Sequence, residues 1–233
     1  MKSLRSILLW TTGTLFFAFT FLVLSVGLFV MSRERVFALA RRFFALQNRI
    51  MGIRLHVTGR EHIDPEKTYL MMGNHQSLFD LFVIPAAIPL VFTGVEAARH
   101  FKIPVWGFLI RKWGCIPIQR GNLEQARKSL DLAKQTLESG LSIAILPEGH
   151  RTRTGKMGPF KKGPFHLAKA TAAPLVPFGI SGLYDFQQKG GLVITPGEVT
   201  VRIGPPIPPD LYVHLSVDEL RNLVFRKIQA LAA

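Results

Sequence analysis

Tyr69-Leu-Met-Met-Gly-Asn-His-Gln-Ser-Leu-Phe-Asp80 is an apolar run that ends in a polar loop and then enters a second apolar run. Tyr69 to Met72 reads as a short buried strand; Leu78 to Ile84, following Ser77 and with Asp80 in its first turn, reads as the start of a helix. His75 then lies in a loop leaving the C-terminal end of a strand, where an α/β sheet presents groups to a ligand. A histidine five positions before a carboxylate suggests a general base with its orienter. On one continuous helix that step would set the two side chains roughly 140° apart, so the pair works only if the chain turns between them. The competing reading is that Asp80, three residues after Ser77, merely favours a helix N-terminus and that the histidine is structural or solvated.

A chain of 233 residues holds one sizeable domain plus an appendage. Its 29 Lys and Arg against 15 Asp and Glu give a net charge of +14, which calls for an acidic partner: nucleic acid, an anionic membrane surface or a phosphorylated substrate. The single Cys115 excludes an internal disulfide. From Ser6 to Ser32 there is no charged residue, a length able to span a hydrocarbon core with tilt or with a bend at Gly13 or Gly27. A cleaved signal peptide is the alternative, but Ala38-Leu39-Ala40 lies beyond Arg33, Glu34 and Arg35 and the run is long for a signal, which favours a retained anchor. Arg33, Arg35, Arg41, Arg42 and Arg49 downstream outnumber Lys2 and Arg5 upstream and predict that the domain after the anchor lies at the cytoplasmic face, the inner membrane if the cell is bacterial.

Residues 33 to about 52 predict a second helix, with Val36, Ala40, Phe43, Phe44, Ile50 and Met51 at helical spacing and Arg35, Arg42 and Arg49 every seven residues on another face. Either this is a core stripe with a solvated stripe, or an interfacial helix touching anionic headgroups. The division expected is a membrane anchor and interfacial helix over residues 1–55 and an α/β domain over 56–233.

Within that domain, His56 to Gly59, Leu90 to Gly94, Cys115 to Ile118, Ser142 to Leu146 and Ala173 to Gly179 read as strands, and Leu192 to Ile194 with Val199 to Ile203 as a late hairpin. Asn122 and Gln125 open an amphipathic helix that Gly140 stops, so strand, helix and strand imply a βαβ crossover with parallel pairing. Ser216 and Glu219 form a capping box for a last helix over Val217 to about Leu231. The crossover sets Arg120 and Pro147-Glu-Gly-His-Arg151 on the rim that carries His75. Two arginines there suit a phosphate, although a solvated surface arginine is the commoner fate of either one; Glu148 can hold an arginine or accept from a substrate hydroxyl. Lys161 and Lys162 either add to this anion field or form a plain solvated pair.

The ordered blocks Asn74 to Asp80, Gly114 to Arg120, Pro147 to Arg151, Phe160 to Gly163 and Val176-Pro177 resemble those of the glycerolipid acyltransferase family that includes the 1-acylglycerol-3-phosphate acyltransferases. The resemblance, over residues 69 to 180, implies an α/β fold with a single mixed, largely parallel sheet and flanking helices, preceded by the N-terminal membrane-associated helical segment. It implies transfer of an acyl group from acyl-CoA or acyl-carrier protein to the hydroxyl of lysophosphatidic acid or a related lysolipid. In that scheme His75 is general base, Asp80 its orienter, and Arg120, Glu148, Gly149, Arg151 and Lys161 bind the phosphate-bearing acceptor, with neither metal nor cofactor. Gln119 replaces a common aspartate and His150 the usual threonine, which bears on acceptor identity and keeps lysophospholipids or a lyso-ornithine lipid open. Two rivals stand beside it. A lipid hydrolase would need an activated serine, but Gly179-Ile-Ser-Gly-Leu183 breaks the G-x-S-x-G pattern at its last position. A basic, membrane-tethered nucleic-acid-binding protein would explain the charge, yet no recognisable motif accompanies it, so no nucleic acid is expected. The seven histidines show no H-E-x-x-H spacing.

Overall fold

The computed structural model of the chain describes residues 2–118 and 123–233. Seven strands, β1 (Ile53–Thr58), β2 (Leu70–Gly73), β3 (Phe92–Ala97), β4 (Ile116–Ile118), β5 (Ser142–Ile145), β6 (Leu175–Ser181) and β7 (Gly197–Ile203), form one sheet in the order β1-β7-β6-β2-β5-β3-β4. From β6 to β4 all pairings are parallel; β7 runs antiparallel to β6, and β1 parallel to β7. The sheet is thus mixed and largely parallel, as expected. Strands β2 and β5 are buried at every position because helices cover both faces, which is why they read as unbroken apolar runs. Strand β7 alternates instead, with Val199, Val201 and Ile203 inward.

Among the described residues eight α-helices surround the sheet: α1 (Lys2–Val30), α2 (Arg33–Ile50), α3 (Asp80–Ala87), α4 (Trp106–Trp113), α5 (Leu123–Glu138), α6 (Gly163–Thr171), α7 (Leu183–Phe186) and α8 (Val217–Ala232). Met71 and Ala144 point to the face covered by α2 and α3, through Phe37, Phe82 and Val83. Leu70, Met72, Ile143 and Ile145 point to the other, where α5, α6 and α8 bring Leu137, Phe165 and Val224. The capping box of Ser216 and Glu219 opens α8.

Two expectations fail. Strands β4 and β5 share a direction but are not neighbours, since β3 lies between them and pairs with both. Leu192 to Ile194 form no strand and β7 has no hairpin partner there, because their backbone groups are taken by α1: Leu192 O accepts from Trp10 Nε1 at 2.8 Å and Ile194 N donates to Ser6 Oγ at 3.0 Å. Asn122, expected to open α5, lies outside the described residues, as do Gln119 and Arg120.

Helix α1 is unbroken over 29 residues and, by length and composition from Ser3 to Val30, can cross a membrane. Its glycines serve packing, not bending. Ser6, Gly13, Thr20 and Gly27 are buried at intervals of seven, and a Cβ on Gly13 would fall 2.1 Å from Met51 Sδ. This seam docks α1 on the rest of the chain, with Trp10 against Phe79 at 5.8 Å, Phe17 against Phe82 at 5.3 Å and Phe29 against Phe108 at 5.8 Å between ring centroids. Leu4, Leu8, Leu15, Phe19, Leu22, Val26 and Phe29 stay exposed.

Candidate active site

Strand β2 ends against the β6 backbone, and four polar side chains then shape the loop. Asn74 Nδ2 donates to Ile180 O at 2.8 Å while its Oδ1 accepts from Ile180 N at 2.7 Å, so a side chain continues the ladder where the main chain leaves it. Gln76 Oε1 accepts from Leu183 N and Tyr184 N, satisfying the free amides at the start of α7. Ser77 Oγ donates to the O and Oε1 of Gln187, both at 2.9 Å. These three side chains are buried; that of His75, between them, is 25% exposed.

Asp80, the first residue of α3, returns to this loop. Its Oδ2 accepts from His75 Nδ1 at 2.5 Å, Gln76 N at 2.9 Å and Ser77 N at 3.1 Å. A carboxylate only accepts, so Nδ1 carries a proton, and Nε2 is the ring nitrogen that Asp80 does not engage. The rival reading of Asp80 as a helix-start residue is half realised, since it does accept from Ser77 N–H. The reciprocal bond is missing, because Ser77 Oγ is turned to Gln187.

Glu148 has a task that the sequence did not disclose. It is 1% exposed, and its Oε1 accepts from His75 N while its Oε2 accepts from Gly158 N, each at 2.7 Å. Thr152 N donates to His75 O at 2.9 Å. The peptide groups flanking His75 are therefore gripped on both sides by the segment after β5. Burial pushes the Glu148 carboxyl above its ordinary value of 4.5, opposed by the two backbone N–H bonds and by the nearby His75 and His150 rings. Gly149 lets this segment turn at φ +70°, a left-handed conformation that suits glycine.

Arg151 is half-buried and precedes Thr152, whose amide holds His75, so its backbone lies one residue from the His75 loop; among the described residues its side chain has no hydrogen-bond or ion-pair partner. The two lysines part company. Lys161 is exposed and tied next to Glu148 by its own N–H to Pro147 O at 2.8 Å, whereas Lys162 pairs with Asp218 at 2.9 Å. Strand β4, which precedes Arg120, reaches the same rim. The structure thus brings His75, Asp80, Glu148, Gly149, Arg151 and Lys161 to one edge; Arg120 lies outside the described residues. Asn74, Gln76 and Ser77 entered the sequence reading only within the Asn74 to Asp80 block, and Gln187, which meets Ser77, was not singled out. Among the described residues no group of three or more His, Cys, Asp or Glu could hold a metal ion.

Comparison with known proteins gives this arrangement its family. The family described as Acyltransferase matches residues 54–181, and the chain belongs to it. Among curated relatives, a 1-acyl-sn-glycerol-3-phosphate acyltransferase of Limnanthes douglasii is 32% identical over 176 residues, covering 75% of this chain and 62% of that protein. The human 1-acyl-sn-glycerol-3-phosphate acyltransferase alpha is 32% identical over 162 residues, 69% of this chain and 57% of its own length. The chain therefore spans less than two thirds of these relatives. The crystal structure of the 1-acyl-sn-glycerophosphate (LPA) acyltransferase PlsC from Thermotoga maritima superposes with a TM-score of 0.82 at 25% identity, covering 98% of this chain and 94% of that one.

Proposed function

We propose that the protein transfers a fatty acyl group from an acyl thioester, acyl-CoA or acyl-carrier protein, to the free hydroxyl of 1-acylglycerol-3-phosphate, giving phosphatidic acid. The observation that carries this reading is the His75 ring, fixed by Asp80 at Nδ1 and by Glu148 and Thr152 at its backbone, on an edge whose neighbouring segments carry two cations without partners among the described residues, Arg151 and Lys161. His75 Nε2 takes the hydroxyl proton as the oxygen attacks the thioester carbonyl; the C–O ester bond forms, the C–S bond breaks, and the proton passes to the departing thiolate. Such a positioned base contributes about 10²–10⁴-fold. Arg151, Lys161 and Arg120 bind the acceptor phosphate. A hydrolase is disfavoured because Ser77, the serine nearest His75 in the chain, donates to Gln187.

The exposed apolar stripe of α1 supports attachment to a membrane. Because the opposite face is docked on the domain from Ser6 to Gly27, α1 and α2 lie in one leaflet as a pair in this reading, with the basic residues after α1 at the cytoplasmic face. The test is His75→Ala in purified enzyme, with lysophosphatidic acid and a panel of other lysolipids offered with both donors. Turnover collapses while acceptor binding persists; an unchanged rate, or turnover only with water as acceptor, overturns the proposal.

A further inference from the structure

We propose that the loop Gln188–Val193 is a second membrane-inserting element, a wedge that enters the lipid surface beside the His75 loop. The inference rests on the membrane reading of α1. Leu192 is 76% exposed and Val193 53%, although the next residue, Ile194, is fully buried. The loop is nevertheless built and held in shape: Gln187 Nε2 donates to Gln188 O at 2.6 Å and Gly191 O at 2.7 Å, and Gly191 N donates to Gln188 O at 3.0 Å. A loop held by bonds within itself and to α1, with its two apolar side chains exposed, is one that presents them.

What it presents them to follows from its anchorage. Trp10 holds Leu192 O and Ser6 holds Ile194 N, so the tip is fastened to the turns of α1 whose outer face carries exposed Leu4, Ile7 and Leu8. That apolar face continues along a helix of about 43 Å at 1.5 Å per residue. A bilayer supplies one continuous apolar medium of that extent, and a Trp with its N–H bonded at the helix flank suits the interfacial layer. Arg5 and Lys189 flank the patch with charge for anionic headgroups. On the other side the same segment meets the catalytic loop, through Ser77 to Gln187 and through Gln76 to Leu183 and Tyr184. The wedge therefore keeps the mouth of the site in the plane from which a lipid acceptor arrives.

The test uses the full chain reconstituted with vesicles of phosphatidylcholine and phosphatidylglycerol. In a Cys115→Ser background, Leu192→Cys carries a polarity-sensitive fluorophore, with Leu15→Cys as the α1 reference and Gln229→Cys on α8 as the aqueous one. At position 192 the emission shifts to the blue and is quenched by nitroxide lipids, as at 15, while the probe at 229 does neither. A probe at 192 that stays aqueous while that at 15 inserts overturns the proposal, and does so without reference to turnover. In parallel, Leu192→Asp with Val193→Asp lowers activity on vesicle-embedded acceptor by on the order of tenfold while a monomeric short-chain acceptor is used as before. Equal losses on both acceptors would mean a purely structural loop and would also refute the wedge.

Discussion

Replacing Glu148 by glutamine keeps the shape of the side chain and changes the number of acceptor atoms from two to one. In the native site both oxygens receive backbone N–H donors at 2.7 Å, from His75 and Gly158, in a position 1% exposed. The amide must turn its NH2 towards one of them, so one charge-assisted bond, worth about 1.5–3 kcal/mol, becomes a donor facing a donor. Either outcome loosens the clamp: His75 N–H loses its partner directly, or the Gly158 segment retreats and Glu148 is no longer braced. A shift of about 1 Å at a catalytic group costs on the order of 10²-fold. The assay is steady-state kinetics with lysophosphatidic acid beside thermal unfolding in the same detergent. The expected result is kcat lower by ~10- to 100-fold, acceptor KM nearly unchanged and a lower Tm. Should Glu148→Gln instead raise acceptor KM at constant kcat, Glu148 touches substrate and the positioning argument is wrong.

The remaining predictions concern charge, pH and packing. Arg151→Ala and Lys161→Ala raise acceptor KM with small changes in kcat, and the native enzyme loses acceptor affinity with added salt, read from kinetics at several ionic strengths. The Glu148 carboxyl is raised in the fold above its ordinary value of 4.5, so the native state binds that proton more tightly than the unfolded chain; its contribution to stability is full below 4.5 and lost as pH rises through the raised value. Urea unfolding of native protein and Glu148→Gln across that window reads this as a destabilisation that shrinks as pH rises. Asn74→Ala leaves the N–H and C=O of Ile180 buried without their side-chain partner and costs about 2–6 kcal/mol by the same unfolding measurement, taken from two groups at about 1–3 kcal/mol each. Gly13→Val drives a side chain into Met51 and separates α1 from α2, lowering Tm and releasing protein from vesicles in a flotation assay.

How much of this was legible in the sequence depends on how local the cause is. The strand, loop and helix around His75 were readable because each is set by its own residues: Leu70 to Met72 have no polar side chain, and Asp80 starts a helix. The βαβ direction was readable too, but not the insertion of β3 between β5 and β4, since strand order is decided by pairings that no single segment encodes. Leu192 to Ile194 carry the pattern of a strand and fail to become one because Ser6 and Trp10, more than 180 residues earlier in the chain, take up their backbone groups. The seam of Ser6, Gly13, Thr20 and Gly27 was spelled out at a spacing of seven, yet was masked by the apolarity of everything between.

The site shows the same division and suggests its reason. His75 and Asp80 could be paired from spacing because the two are joined by one short turn. Glu148 could not be assigned, for its meaning lies in which donors face it, and these come from β2's loop and from Gly158. What supports the proposed reacting role of His75 over a structural one is not the carboxylate at Nδ1, a partner that many folded histidines have. It is that Asn74, Gln76, Ser77, Glu148 and Thr152 fix the loop around it while, among the described residues, Nε2 has no hydrogen-bond partner. A loop that needs these five residues and Asp80, from three segments, to hold one ring still is costly to maintain for packing alone, and that cost is the physical argument for chemistry at Nε2.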